Sequence, residues 1–316
     1  MPENKLPNAF IIGVQKAGTT TLHDWLIQHP EIYGLNEYKD VDFFANPERS
    51  EKARVLLYEA FKEHTNQPVI IHCYVNYLLY EIALLKIYEV CPNARLIVTL
   101  RNPVDRAFSA YSHFKKFSIE TRGVQEALLY TPREDFVFSK SNSNFTYIEH
   151  GFYYKQLKKL FEIFPPQQVL ILEFDDLKKQ PEILLKEVYN FLEVTDNFYP
   201  KLIARNVTGQ VKNQWMQKVL TSSSAFRRSL IKYTVGLGMS PEKRKLIRYK
   251  LIELNTKKLS RPQALPIETD RKIRSELTKL FLHDVIKLDE LLGTQYKVKW
   301  FGDEVINEHN DRTYTM

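Results

Sequence analysis

Residues 8–21 read Asn8-Ala9-Phe10-Ile11-Ile12-Gly13-Val14-Gln15-Lys16-Ala17-Gly18-Thr19-Thr20-Thr21, and this stretch decides the fold class. The short apolar run 8–14 reads as a buried strand. A turn follows, then a helix is predicted from about Thr20 to Gln28, stopped by Pro30. A strand that passes through a Gly/Thr loop into a helix is the setting a phosphate-binding loop requires. Backbone N–H groups at the helix N-terminus converge on an anion there, and the helix dipole favours it. Gly18 lets the backbone approach closely, and the threonine hydroxyls add donors. Lys16, Ala17, Gly18, Thr19, Thr20 and Thr21 are therefore the first candidate binding residues. The loop is not a Walker A loop: its lysine precedes Gly18 by two residues instead of following a glycine, and no magnesium ligand is implied.

Outward from this loop, short apolar strands are predicted at 68–73, 95–100 and 168–174, with extended pieces at 32–35 and 41–44. Helical patterns cover 48–63, 80–90, Pro103 to about Phe117, 152–164 and the segment after Pro181, with Asp175-Asp176 as its cap. Strands alternating with helices imply parallel pairing and right-handed crossovers. The expectation is one α/β domain over 1–316: a central parallel sheet of about five strands flanked by helices, P-loop NTPase-like in connectivity. The binding core would span about 8–195. A mostly helical C-terminal part, about 196–316, would carry helices at 241–259 and 268–292.

Composition is that of an ordinary globular chain: 316 residues, 44% hydrophobic and 26% charged. The net charge of +7 favours anionic ligands without calling for nucleic acid. Two cysteines, Cys73 and Cys91, make no disulfide framework and suit a reducing cytoplasm. The apolar run 9–14 is too short for a signal core or a membrane span, which needs ~20 residues; a cytoplasmic location is expected. His23, His29, His113 and His150 form no metal-ligand cluster with the cysteines, so no metal is expected. Between 227 and 261, eleven Lys and Arg face only Glu242 and Glu253. This stretch reads as a solvated helix face, a lid over an anionic acceptor, or a contact with an anionic membrane surface.

The second constellation is Arg101-Asn102-Pro103-Val104-Asp105-Arg106-Ala107-Phe108-Ser109. Arg101 ends a central strand, where open α/β sheets bind ligands. Ser109 lies two helical turns on. An arginine fork with a hydroxyl suits a phosphate monoester dianion.

Together, GVQKAGTTTL and VTLRNPVDRAFSAYSHF resemble the sulfotransferases that use 3′-phosphoadenosine 5′-phosphosulfate (PAPS), on the branch that holds heparan sulfate and bacterial sulfotransferases. The similarity continues through HPEIYGLNEYKDVDFF, GFYYKQLKKLFEIFPPQQVLILEFDDLKKQPE and the C-terminal IETDRKIRSELTKLFLHDVIKLDELLGTQYKVKW. It implies that the first loop binds the 5′-phosphosulfate through Lys16, Gly18, Thr19 and Thr20. It also implies that Arg101 and Ser109 bind the 3′-phosphate, and that the desulfated product PAP leaves. Lys16 would neutralise the leaving phosphate without a metal, because a sulfuryl group carries less charge than a phosphoryl group. The acceptor would be a hydroxyl or amine of a small molecule, lipid or glycan.

Two departures from the family stand out. Where it often has Lys-Glu-x-His-Phe-Phe, with the glutamate as general base, this chain has Lys39-Asp40-Val41-Asp42-Phe43-Phe44. Where it often has Glu-Lys-Thr-Pro-x-Tyr, this chain has His72-Cys73-Tyr74-Val75-Asn76-Tyr77, so that lysine is missing. Asp40 is the first candidate base and His72 the second. The rival readings are a P-loop kinase or NTPase, which would need Mg²⁺, and a non-catalytic PAPS-binding protein.

Overall fold

The computed structural model describes residues 6–36, 39–116, 120–129, 147–202 and 267–302, with short pieces between 209 and 258. Five parallel strands form the central sheet: β1 (Ala9–Gly13), β2 (Ile32–Gly34), β3 (Val69–Cys73), β4 (Arg95–Leu100) and β5 (Val169–Glu173). Their order is β2-β3-β1-β4-β5. Ala9 sits between Ile71 of β3 and Arg95 of β4, and Leu96 to Leu100 run beside Val169 to Glu173. Every residue of β1 and β3 is buried, as a parallel sheet covered on both faces demands. This is the predicted P-loop-like α/β sheet, with helices α1 (Thr19–Leu26), α2 (Pro47–Ser50), α3 (Ala53–Phe61), α4 (Glu81–Val90), α5 (Pro103–Lys116), α6 (Val124–Leu129) and α7 (Tyr153–Ile163) in the crossovers.

One core cluster joins Ile11, Ile71, Ile97 and Leu172 of the sheet to Leu22, Trp25 and Leu26 of α1, and to Leu184, Leu185, Val188 and Leu192 of α9 (Pro181–Leu192). Burying each aliphatic side chain contributes ~1.5–3 kcal/mol. Period-2 apolar spacing in the strands and 3.6-residue spacing in the helices put these residues on facing surfaces.

Local differences from the sequence expectation have plain causes. The segment 41–44 is not a strand. The Asp42 carboxylate instead takes the N–H groups of Phe44 (3.1 Å) and Ala45 (2.8 Å), closing a turn. The predicted helix 48–63 is two helices, because Asn46 caps α2 by accepting the Arg49 N–H and α3 restarts at Ala53. Asp175 and Asp176 lie inside the short helix α8 (Phe174–Lys179), ahead of α9. The last residues of the predicted helix 241–259 form β7 (Thr256–Lys258), which pairs antiparallel with β6 (Gly209–Val211). The rest of 227–261 lies largely outside the described residues.

The chain divides into two compact units: Met1–Ala107 with Pro132–Ile203 and Arg274–Met316, and Phe108–Thr131 with Ala204–Ile273. The division falls within α5, so Arg101 belongs to the first unit and Ser109 to the second. In the second, β6 pairs with β7, and Asn213 and Asn255 exchange two hydrogen bonds, of 3.1 and 2.9 Å.

The C-terminal helices are α10 (Ile267–Leu292) and α11 (Tyr296–Phe301). Asp284 of α10 is 9% exposed and accepts the Tyr154 N–H, 3.0 Å, in the first turn of α7. A carboxylate there satisfies orphan donors and meets the positive end of the helix dipole. Asp284→Ala is therefore expected to destabilise the protein by ~1–2 kcal/mol, read as a lowered urea midpoint with an unchanged m-value.

Candidate active site

The first loop leaves β1 at Gly13 and is anchored across the sheet by the Val14 N–H, which donates to the Thr99 carbonyl of β4 at 3.1 Å. Lys16 and Gly18 both adopt left-handed backbone, with φ of 71° and 82°. Left-handed residues alternating with right-handed ones are what anion-binding nests are built from, while the Ala17 N–H between these two donates to the Val14 carbonyl at 3.2 Å. Gly18 is the N-cap of α1, and no side chain caps the helix. The first-turn N–H groups of α1 are thus the kind that an anion meets. Glycine is required at 18 for a second reason: a Cβ there would lie 2.9 Å from the Phe174 ring. Thr19 and Thr21 are buried beside the loop, and Lys16 and Thr20 are partly exposed.

Arg101 follows β4. Its Nη1 donates to the Lys16 carbonyl at 2.9 Å, and its guanidinium lies over the Phe174 ring, 4.5 Å from the centroid. Lys178 of α8 also lies over that ring, at 3.9 Å. The arginine expected to bind one end of the ligand is thus tied directly to the loop expected to bind the other. Phe174 stacks with the first and packs against the second. Nothing in the sequence singled out Phe174, because its importance lies in what it touches.

The backbone around Arg101 is held from behind. Tyr153 donates its hydroxyl to the Arg101 carbonyl at 2.7 Å. Asn102 caps α5 through the Val104 N–H (2.9 Å) and donates to the Trp300 carbonyl of α11 (2.8 Å). Lys299 and Trp300 both hydrogen-bond the buried Glu173 at the end of β5. Tyr296 stacks on Trp300 with centroids 4.3 Å apart. These contacts keep α11 against the carboxyl ends of β4 and β5.

The two candidate bases have opposite surroundings. Asp40 has φ 65°, donates its N–H to the Cys73 carbonyl at 2.9 Å, and receives the Lys39 ammonium at 2.7 Å. Its side chain is 56% exposed. His72 is 1% exposed, inside a cage of Phe10, Phe43, Phe61 and Tyr77. Its Nε2 meets the Tyr77 hydroxyl at 3.3 Å, and that hydroxyl accepts the Phe43 N–H. Burial, reinforced by the nearby charges of His23 and Lys39, pushes its pKa down to about 3. A buried imidazole with so low a pKa is a weak base with little access to solvent, which favours Asp40 of the two candidates. Cys73, at the place of the family's lysine, is buried with its thiol pushed up to about 12.

No helix of the described residues is long and apolar enough to cross a membrane, and no group of His, Cys, Asp or Glu among them could hold a metal ion.

A parallel sheet with a glycine-containing left-handed loop at its first strand-to-helix turn defines a P-loop-like α/β protein. A model of the sulfotransferase domain family matches residues 6–234, more than half of the chain, and the chain belongs to that family. It is similar to the human bifunctional heparan sulfate N-deacetylase/N-sulfotransferase 3, 27% identical over 209 residues, 62% of this chain and 23% of that protein. The human form 1 is 28% identical over 214 residues, 64% of this chain and 24% of that protein. The chain thus spans about a quarter of the length of these curated relatives. Among solved structures, a sulfotransferase from Alicyclobacillus acidocaldarius matches with a TM-score of 0.62 at 24% identity, covering 92% of this chain and 96% of that one, a likeness of fold.

The histidine cage has a measurable signature. His72 is neutral in the fold below its unfolded value of ~6.5, so the unfolded chain binds the extra proton between that pH and about 3. Its contribution to stability is complete above pH ~6.5 and is lost as pH falls toward 3. His23 and His150, both lowered by burial, act in the same direction. In His72→Phe, the slope of unfolding free energy against pH between 6 and 4 should become shallower by up to ~1.4 kcal/mol per pH unit. An unchanged slope in urea titrations would contradict the buried neutral state.

Proposed function

We propose that the chain is a PAPS-dependent sulfotransferase whose acceptor is a hydroxyl or an amine. The observation that carries this reading is the bond from Arg101 to the Lys16 carbonyl, which joins the two anion motifs at the carboxyl ends of adjacent strands β1 and β4. The residues present fit a nucleotide phosphosulfate. The Lys16 side chain, the Gly18 turn and the start of α1 suit the 5′-phosphosulfate, and the Arg101 fork suits the 3′-phosphate. Ser109 is the proposed second donor to that phosphate.

Sulfuryl transfer needs an acceptor atom to attack sulfur in line while the S–O bond to the 5′-phosphate breaks and its electron pair stays on the phosphate. Lys16 and the α1 N–H groups stabilise the charge that grows there. Asp40 accepts the acceptor's proton, and the sulfated product and PAP leave. These residues supply positioning and charge stabilisation without a metal, which separates this reading from a kinase. The relatives' names point to heparan sulfate and N-sulfation. That supports including glycan amines among the acceptors tested, beside small-molecule and lipid hydroxyls.

The test is transfer of label from [³⁵S]PAPS across alcohols, phenols, amines and glycans in the presence of EDTA. Labelled product without Mg²⁺ is expected. Phosphoryl transfer from ATP with no sulfuryl transfer would establish the kinase alternative, and PAP binding with no turnover would establish a non-catalytic PAPS-binding protein. Lys16→Ala should lower kcat ~10²–10³-fold. Ser109→Ala should weaken PAP more than adenosine 5′-phosphate. Arg101→Gln should weaken both, and PAP further by ~1.5–3 kcal/mol, because Arg101 also braces the first loop. Equal losses for the two ligands in both variants, measured by calorimetry, would remove these residues from the 3′-phosphate.

A further inference from the structure

Lys39 is a lysine that the proposed chemistry leaves unused and the fold does not leave on the surface. Its side chain is 9% exposed, whereas that of Asp40, its hydrogen-bond partner, is 56% exposed. Its backbone N–H donates to the Leu35 carbonyl at 3.1 Å, closing the loop that follows β2. Its ammonium lies close enough to Asp24 and His23 of α1, and to Cys73 and His72 of β3, to interact with them electrostatically. Burial opposes its charge, yet its pKa is held up by Cys73, Asp40 and Asp24. Cys73 stays protonated at neutral pH, since its thiol is pushed up to about 12. Asp40 and Asp24 therefore supply the negative charge.

An exposed pair of adjacent residues would contribute only ~0–1 kcal/mol and fix nothing. Here one member is inside, where an unpaired ammonium is costly and a paired one is held in place. The Asp40 main chain is fixed as well, in left-handed backbone with its N–H on the Cys73 carbonyl at the end of β3. A short carboxylate is thus held at two points, by strand β3 through its backbone and by Lys39 through its side chain.

We propose that Lys39 is a positioning residue, whose buried ammonium holds the Asp40 carboxylate in the one orientation that receives the acceptor proton. This rests on the reading of Asp40 as the base. It also gives this chain a cation beside Cys73, on the strand where the sequence lacks one. Aspartate is one methylene shorter than glutamate, ~1.5 Å of reach. A carboxylate with little reach gains most from being held still, because misplacement by ~1 Å costs ~10²-fold in rate.

The experiment is a double-mutant cycle on the full chain: wild type, K39M, D40N and K39M/D40N, with K39R as the charge-conserving control. Each is assayed for sulfate release from saturating [³⁵S]PAPS with water as the acceptor, the hydroxyl compound present in every assay, and for PAP affinity by calorimetry. K39M is expected to lower kcat ~10–100-fold, with PAP affinity within about threefold of wild type. K39R is expected to recover most of kcat. In the D40N background K39M should cause no further loss, because the two act as one unit. Losses that multiply in the double variant would overturn the role of Lys39 and leave Asp40 as the base, and so would wild-type kcat in K39M. Wild-type kcat in D40N would overturn both readings. If K39M fails to fold, K39Q, which keeps hydrogen-bond donors without the charge, takes its place in the cycle.

Discussion

The site depends on β1 lying between β3 and β4. A strand in that position delivers its loop next to the loops of both neighbours, and in a parallel sheet all three emerge at the same edge. The first loop can therefore accept from Arg101 on one side, while Asp40 is tied to the end of β3 on the other. The anchor of Val14 to Thr99 and the close fit of Gly18 against Phe174 hold the first loop in register with its neighbours. Tyr153 braces the Arg101 backbone, and Asn102 ties the next residue to Trp300.

Charge is sorted across this edge by burial. Lys16 and Arg101 are cations at its β1–β4 side. At its β3 side, aromatic packing excludes charge from His72, while Lys39 remains charged beside two carboxylates. Desolvation suppresses an ion that lacks a counter-charge and tolerates one that has it. That single rule accounts for a silent histidine and a charged lysine around the same strand end. It also leaves the Asp40 carboxylate facing solvent and the His72 imidazole inside.

The sequence by itself determined the sheet strands, most of their helices and the anion loop. Each is a local pattern: an apolar run, a helical stripe, a proline stop, a glycine at a left-handed position. Pairing between distant segments was a different matter. β6 and β7 lie more than forty residues apart, and three-residue strands carry too short a pattern to read. The same limit applied inside the site. Arg101 was recognisable as a ligand-facing arginine, but its bond to Lys16 joins residues 85 apart. Phe174 looked like the end of a strand and His72 like a candidate base, and nothing in the sequence said that Lys39 would be buried. Tertiary packing decided all three, because burial and electrostatic partnership belong to the neighbours that folding brings together and not to the residue type or its place in the chain.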